Sequence, residues 1–376
     1  MSLAPEDSLR LNVMLVNVLA VRIDEGVKQV HGLMKDGRES CIQLSPNCRA
    51  DLYVKKVREL LSSNVLGSPG GYPVFLKRWT RMGQASDASL ENLLLLGEPE
   101  AVVAVTGAAG LTNELASRAW WIMPDADNAR RMLRNGQIAQ GSMGKILAEF
   151  LLEFLPFEQQ PKALIDSVAL ILQSGLLQPE AKHELWQKGR QKSIFRIGFL
   201  KTLPDDLPET PAEREVAPSV RMPLMDLVKQ GNLIAQLLAR LWSSQGQGFI
   251  NTCLTVLDNL SSQEAAVALW EAVENYFLLK HLPLVLGNTY HEIETQVDEW
   301  LGANELAPDL AAVRKCCPML LNELRSLLVL SLTSSKILDG IFSHTNAVGS
   351  VMRHKITPVS IPLRTHLNIL LGKVPP

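Results

Sequence analysis

The sequence predicts a mainly α protein. Apolar residues recur with helical spacing from about Pro46 to the C-terminus, and proline and glycine cut that pattern at intervals. Alternating extended runs are confined to residues 18–44. The clearest helical block runs from Ser86 to Phe157, with breaks at Gly97-Glu98-Pro99, Met123-Pro124-Asp125 and Leu155-Pro156. Helix pairs of about forty residues match the spacing of HEAT-like units. The expected architecture is therefore a HEAT-like α-solenoid or an irregular α-bundle, with a small β-meander near residues 18–44.

The elements follow in order. Glu6 to Val16 predicts a helix with Leu9, Val13 and Val16 on one face. Val18-Leu19-Ala20-Val21-Arg22-Ile23 is rich in β-branched residues and ends at the turn former Asp24-Glu25-Gly26. Val27 to Met34, the turn Lys35-Asp36-Gly37 and Ser40 to Leu44 complete the meander. Pro46 opens a helix through Asn64, and Gly67-Ser68-Pro69-Gly70-Gly71 is loop. Beyond it Tyr72, Phe75, Leu76 and Trp79 share a helical face, with Lys77, Arg78 and Arg81 off it. Ile146, Leu147, Phe150, Leu151 and Phe154 form a stripe that Pro156 ends. Leu164, Val168, Ile171, Leu172 and Gly175 form another, stopped by Pro179.

From Leu203 to Pro223 the pattern fails. Five prolines alternate there with Asp205, Asp206, Glu209, Glu213 and Glu215, which predicts an extended linker. The expected division is a meander-plus-helical domain over 1–202, an acidic proline-rich linker over 203–223, and a C-terminal helical domain over 224–376. After Pro223, Leu224, Leu227, Val228, Ile234, Leu238 and Leu241 share a face. Ser261-Ser262-Gln263-Glu264 fits a capping box ahead of Ala266, Trp270, Val273 and Phe277. Glu292 to Trp300 is helical, as is Leu310 to Ser331 with a break at Pro318; the tail from Ile356 reads as loop and a short helix.

Bulk properties exclude several function classes. The 376 residues carry 37 basic and 39 acidic side chains, a formal net charge of -2, so no global field attracts nucleic acid or anionic lipid. The N-terminus lacks the basic start of a secretory signal, and the apolar stretches are too short to span a bilayer. A soluble cytoplasmic protein is expected. Cys41, Cys48, Cys253, Cys316 and Cys317 form neither a disulfide framework nor a C-x-x-C pair, and read as thiols in a reducing compartment.

Candidate chemistry is sparse. Val102-Val103-Ala104-Val105-Thr106-Gly107-Ala108-Ala109-Gly110 imitates the strand and glycine turn of a dinucleotide fold. Asn113 stands where a third glycine belongs, and no strand–helix alternation follows, so a helix ended by glycines, with Thr112 or Asn113 capping the next, is the reading we favour. His281, His291, Glu292 and Glu294 cluster without an H-E-x-x-H spacing, and His344, His354 and His366 match no metal box. A nucleophile elbow, a Walker-type loop and a kinase set are missing, while a triad assembled from distant residues remains open. The strongest charge asymmetry is Lys182, Lys188, Arg190, Lys192, Arg196 and Lys201, which face only Glu184 in that stretch and are interleaved with Trp186, Phe195 and Phe199. Such a pattern can neutralise phosphates and stack bases, but a solenoid helix with a basic outer face and aromatic core anchors is the reading we favour. Lys77, Arg78 and Arg81 repeat the ambiguity on a smaller scale. Trp120-Trp121 can place at most one ring squarely in the core, because adjacent helix positions point about 100° apart.

Several segments carry a family resemblance. Glu6-Asp7-Ser8-Leu9-Arg10-Leu11-Asn12-Val13, Gly71-Tyr72-Pro73-Val74-Phe75-Leu76-Lys77-Arg78-Trp79-Thr80-Arg81-Met82-Gly83 and Leu96-Gly97-Glu98-Pro99-Glu100-Ala101-Val102-Val103 belong to it, with Arg118-Ala119-Trp120-Trp121. Asn128-Ala129-Arg130-Arg131-Met132-Leu133 and Phe154-Leu155-Pro156-Phe157-Glu158 add to it. These segments resemble the DsrS family of sulfur reduction proteins, most densely from Glu6 to Glu158. The resemblance implies a cytoplasmic accessory or regulatory factor encoded beside dissimilatory sulfite reductase, without established enzymatic activity. It transfers no site residue. The expectation is a non-enzymatic scaffold acting on a protein partner of the sulfur-oxidation system, with no cofactor, metal or membrane partner. RNA binding through residues 182–201 is the alternative, and a dinucleotide enzyme built on residues 102–110 the remote one.

Overall fold

A computed structural model describes residues 3–67, 87–173, 175–279, 289–303 and 307–373. The fold is mainly α, with a small antiparallel sheet near the N-terminus. The chain forms two compact units, Met1–Phe154 and Leu155–Pro376.

In the first unit, helix α1 (Pro5–Asn17) runs directly into β1 (Val18–Asp24), followed by β2 (Gln29–Met34) and β3 (Glu39–Gln43) in the order β1-β2-β3. Both pairings are antiparallel, with Asp24 opposite Gln29 and Val30 opposite Ile42, so the turn signals in the sequence mark real hairpins. Helix α2 (Ala50–Leu66) covers one face. Leu11, Met14, Val21, Val30, Tyr53 and Val57 meet there in the core. Short helices then follow in series: α3 (Asp87–Leu93), α4 (Pro99–Thr106), α5 (Asn113–Ile122), α6 (Ala126–Leu133), α7 (Gly136–Ala139) and α8 (Ser142–Phe154). Thr112 caps α5 by accepting from Leu115 N at 3.2 Å, and Asp125 caps α6 by accepting from Asn128 N at 2.8 Å. Gly97 has φ +63 and lies against Ile23, where a Cβ would stand 2.7 Å from that side chain.

The face expected to anchor α1 is reversed. Asp7, Leu11 and Met14 point inward, while Leu9, Val13 and Val16 face solvent. Both sets have the same i, i+4, i+7 spacing, displaced by two positions and hence by about 200° around the helix. Asp7 decides between them: its Oδ2 accepts from Tyr53 Oη at 2.6 Å and from Ser45 N at 2.9 Å, a buried pairing the other register would forfeit. Burial first, and the Asp7 hydrogen bond second, push the Tyr53 phenol up to about 12.

The second unit contains α9 (Pro161–Ile171), α10 (Pro179–Lys188), α11 (Ile194–Thr202), α12 (Pro218–Lys229), α13 (Leu233–Trp242), α14 (Ser244–Asp258) and α15 (Gln263–Phe277). It continues with α16 (Tyr290–Gly302), α17 (Pro308–Cys316), α18 (Leu321–Leu332), α19 (Asp339–Phe342), α20 (Gly349–Lys355) and α21 (Thr357–Leu370). Helix α15 is buried on nearly all sides and packs against α9, α11, α14 and α18. Its cap is Ser262, accepting from Ala265 N at 3.2 Å, one residue later than the capping-box reading. The break at Pro318 is a short 3-10 turn, Pro318–Leu320.

Two expectations change here. The segment predicted as a linker does not separate domains; residues 203–217 are a strap bound along the second unit, and Pro218 to Pro223 already belong to α12. Leu207 is buried and its N–H donates to Gln245 Oε1 at 2.9 Å. Asp205 takes a two-point ion pair from Arg240, with Nε–Oδ1 at 2.8 Å and Nη2–Oδ2 at 2.6 Å. Arg214 donates its N–H to Trp242 O at 2.8 Å and its Nη1 to Leu370 O at 3.1 Å, and pairs with Glu323. Gly248 admits the strap, because a Cβ there would meet Thr210 Cγ2 at 2.7 Å. Ion pairs and backbone bonds thus replace the apolar burial that the composition lacks. The boundary accordingly falls between Phe154 and Leu155 rather than at 203–223. The C-terminal tail, expected as loop and a short helix, is the fourteen-residue helix α21 with Pro362 inside it. Val359, Leu363, Leu367 and Leu370 bury one face, against α14 and α18 among others, which outweighs the hydrogen bond lost at the proline.

Candidate functional site

The basic-aromatic segment was the leading site in the sequence, and the fold neutralises most of it. Lys182 pairs with Asp206 at 2.5 Å and Arg190 Nη2 reaches Glu209 Oε1 at 2.9 Å, both carboxylates coming from the strap. Lys201 Nζ lies 2.9 Å from Glu271 Oε2 on α15, and Lys188 Nζ lies 3.1 Å from Glu184 Oε1. Lys192 is exposed. Arg196 spreads over the Trp186 ring at 5.1 Å from its centroid. Glu184 is thus not the only acid that meets these cations: Asp206, Glu209 and Glu271 come from residues distant in sequence. The aromatic rings are inside. Trp186 and Phe199 pack edge to face at 5.1 Å, and Phe195 is buried as well. A stacking platform for bases needs exposed ring faces, and these three rings have none. Lys77, Arg78 and Arg81 lie outside the described residues.

The glycine turn is not a dinucleotide turn. Val102 to Thr106 is helix α4, not a strand, and the only sheet among the described residues is the antiparallel meander. Gly107 ends α4, its N–H donating to Val103 O at 3.2 Å, and Thr112 caps the next helix as the sequence suggests. Of the neighbouring tryptophans, both are half-buried. Trp120 packs edge to face on Phe150 at 4.8 Å, while Trp121 Nε1 donates to Glu39 Oε1 at 2.7 Å under the Arg22 guanidinium.

The second unit does bring a serine, a histidine and a glutamate together. His366 Nδ1 lies 3.2 Å from Ser326 Oγ and His366 Nε2 lies 2.9 Å from Glu294 Oε1. These join α16, α18 and α21, beside a two-point Arg325–Asp298 ion pair at 2.6 and 2.8 Å. Ser326 and His366 are each 1% exposed. Ser326 sits inside a continuous helix rather than at an exposed elbow, and the constellation ties three helices together. Burial lowers the His366 pKa, against the raising effect of Glu294. Sequence spacing gave no sign of it, because Glu294 and His366 stand 72 residues apart. His291 is elsewhere on α16, and His281 lies outside the described residues. Among the described residues no group of three or more His, Cys, Asp or Glu side chains is placed to hold a metal ion. No described helix is long and apolar enough to cross a membrane.

Among the described residues, the outer face of α1 carries an exposed apolar stripe. Leu9, Val13 and Val16 are 66%, 58% and 81% exposed. Polar groups rim them: Arg10 pairs with Glu6, and Asn64 Nδ2 donates to Asn12 Oδ1 at 2.7 Å. The helix is held rigidly from its other side by Asp7, Leu11 and Met14. Such a stripe, apolar and fixed in place, has the character of a protein-docking face. Compared with known protein families, curated proteins and solved structures, the chain matches none.

Proposed function

We propose that the protein is a non-enzymatic cytoplasmic scaffold that works by binding another protein through the outer face of α1. The carrying observation is the exposure of Leu9, Val13 and Val16 on a helix whose opposite face is locked into the core. Three apolar side chains one turn apart suit the groove-and-helix mode of recognition, in which a few anchors supply most of the affinity. The buried rings and paired cations of residues 182–201 weigh against the RNA reading. The DsrS resemblance directs the choice of partner to proteins of the dissimilatory sulfur-oxidation system.

The test is capture of purified components of that system on the immobilised full chain, compared with the triple variant Leu9→Ser, Val13→Ser, Val16→Ser. Exposed positions tolerate such changes within about 0.5 kcal/mol, so the variant folds. A component retained by the wild type and lost by the variant supports the proposal. Equal retention by both, or none by the wild type, removes it.

A further inference from the structure

The glycine turn that fails as a dinucleotide site borders a different kind of cavity. An open concavity of about 570 Å³ is lined by residues 106–109, Arg131, Arg134, Asn135 and Gly136. No acidic side chain lines it. Its floor carries no side chain larger than threonine, so backbone is approachable there.

The arginine side is built rather than incidental. Asn128 is fully buried, and its Oδ1 accepts from Thr106 Oγ1 at 3.1 Å and from Arg131 Nη1 at 2.8 Å. Its Nδ2 is fixed in turn by Met123 O at 3.1 Å and Asp125 Oδ2 at 3.0 Å. One amide thus ties the end of α4 to the Arg131 guanidinium and sets it at the concavity. Because that partner is neutral, the Arg131 charge is oriented without being cancelled by it. Arg134 follows one turn later on the same side of the chain. Asp127, the nearest acid on α6, is engaged by Arg130 at 2.6 Å. That hydrogen bond, with the fields of Arg131 and Arg134 added, holds the Asp127 carboxyl below its usual range. Across the concavity, the Ala109 N–H has no acceptor among the described residues.

We propose that this concavity binds a phosphate group, with the Arg131 and Arg134 guanidiniums gripping its oxygens across from the 106–109 turn. Paired planar guanidiniums match a tetrahedral dianion better than a single carboxylate. The volume exceeds that of the bare ion, which leaves room for a small organic portion. The site is independent of α1 and of the scaffold reading.

The experiment is calorimetric titration of the full chain at low salt with inorganic phosphate, with ribose 5-phosphate, and with ribose. The wild type binds at least one phosphate compound and not ribose, and the affinity falls as sodium chloride is added. Equal affinity for the two phosphates identifies the free ion as ligand; tighter binding of ribose 5-phosphate identifies a phosphomonoester. The double variant Arg131→Gln, Arg134→Gln loses at least about tenfold in affinity. Arg131→Lys, which keeps the charge without the fork, falls between the two. The α1 triple serine variant binds as the wild type does, which separates this site from the docking face. Absence of heat with both phosphates up to about 10 mM, equal binding of ribose, or an unchanged affinity in the folded double variant overturns the proposal.

Discussion

Residues 182–201 and residues 130–134 both concentrate positive charge, and the fold handles them in opposite ways. In the first, lysines and arginines meet carboxylates brought from the strap and from α15, and Arg196 lies on a buried tryptophan. In the second, Arg131 meets the neutral oxygen of a buried asparagine beside an open concavity. The first arrangement spends its charge on holding helices together, while in the second the Arg131 charge is set at the concavity by a neutral partner. A count of cations along the chain ranks the two wrongly. Field depends on what the fold sets against each cation, and the acids that meet Arg190 and Lys201 come from 19 and 70 residues away.

The largest effect that would sharpen the contrast is at Trp186. It is buried, packs on Phe199 and carries Arg196. Replacement by alanine removes a core aromatic and the surface under the guanidinium, with an expected loss of about 3–5 kcal/mol in denaturant unfolding of the second unit. If the ring instead served as an exposed platform, the loss would be within about 0.5 kcal/mol, and the structural reading of this segment would fail.

Asn128 gives the matching measurement on the other side. Asn128→Ala strips Thr106, Arg131 and Asp125 of a shared buried partner, and the first unit should lose about 1–3 kcal/mol in thermal or denaturant unfolding. A change near zero would mean that Arg131 is not held by this amide, and the contrast between paired and oriented charge would collapse.

What the sequence could reveal follows the range of the forces involved. The meander was legible because Asp24-Glu25-Gly26 and Lys35-Asp36-Gly37 act within a few residues. The caps at Thr112 and Ser262 were legible for the same reason, the latter to within one residue. The inward face of α1 was not, because two stripes of equal spacing compete and the choice rests on Tyr53, 46 residues away, donating its hydroxyl to Asp7. The strap was misread because its order comes from Arg240, Gln245 and Trp242, which composition cannot supply. Helix α21 was underestimated because a local penalty at Pro362 was visible while its apolar partners on α14 and α18 were not. The site followed the same rule. The basic residues could be counted, but their acids could not be assigned. Asn128 carries no signature that separates a buried fulcrum from an ordinary helix-start polar residue.

The smallest expected effect tests the strap's neutralising role directly. Gln187 Nε2 donates to Glu209 Oε1 at 2.7 Å, and the Trp186 indole and then the Arg190 guanidinium add to it, which together hold the Glu209 carboxyl down to about 2 from 4.5. A folded-state pKa below the unfolded value contributes stability that is complete above about pH 4.5 and is lost as pH falls toward 2. The carboxylate is partly exposed, so solvent and salt reduce its contribution to less than about 1 kcal/mol. Glu209→Gln should abolish that part of the acid dependence and lower the neutral-pH stability by the same amount, less than about 1 kcal/mol. Combined with Asp206→Asn, it frees Lys182 and Arg190 from their acids, and weak salt-sensitive retention on a polyanion column should appear where the wild type shows none. Retention by the wild type itself, unaltered in the double variant, would show that the strap does not neutralise the basic segment and would favour the RNA reading over the scaffold one.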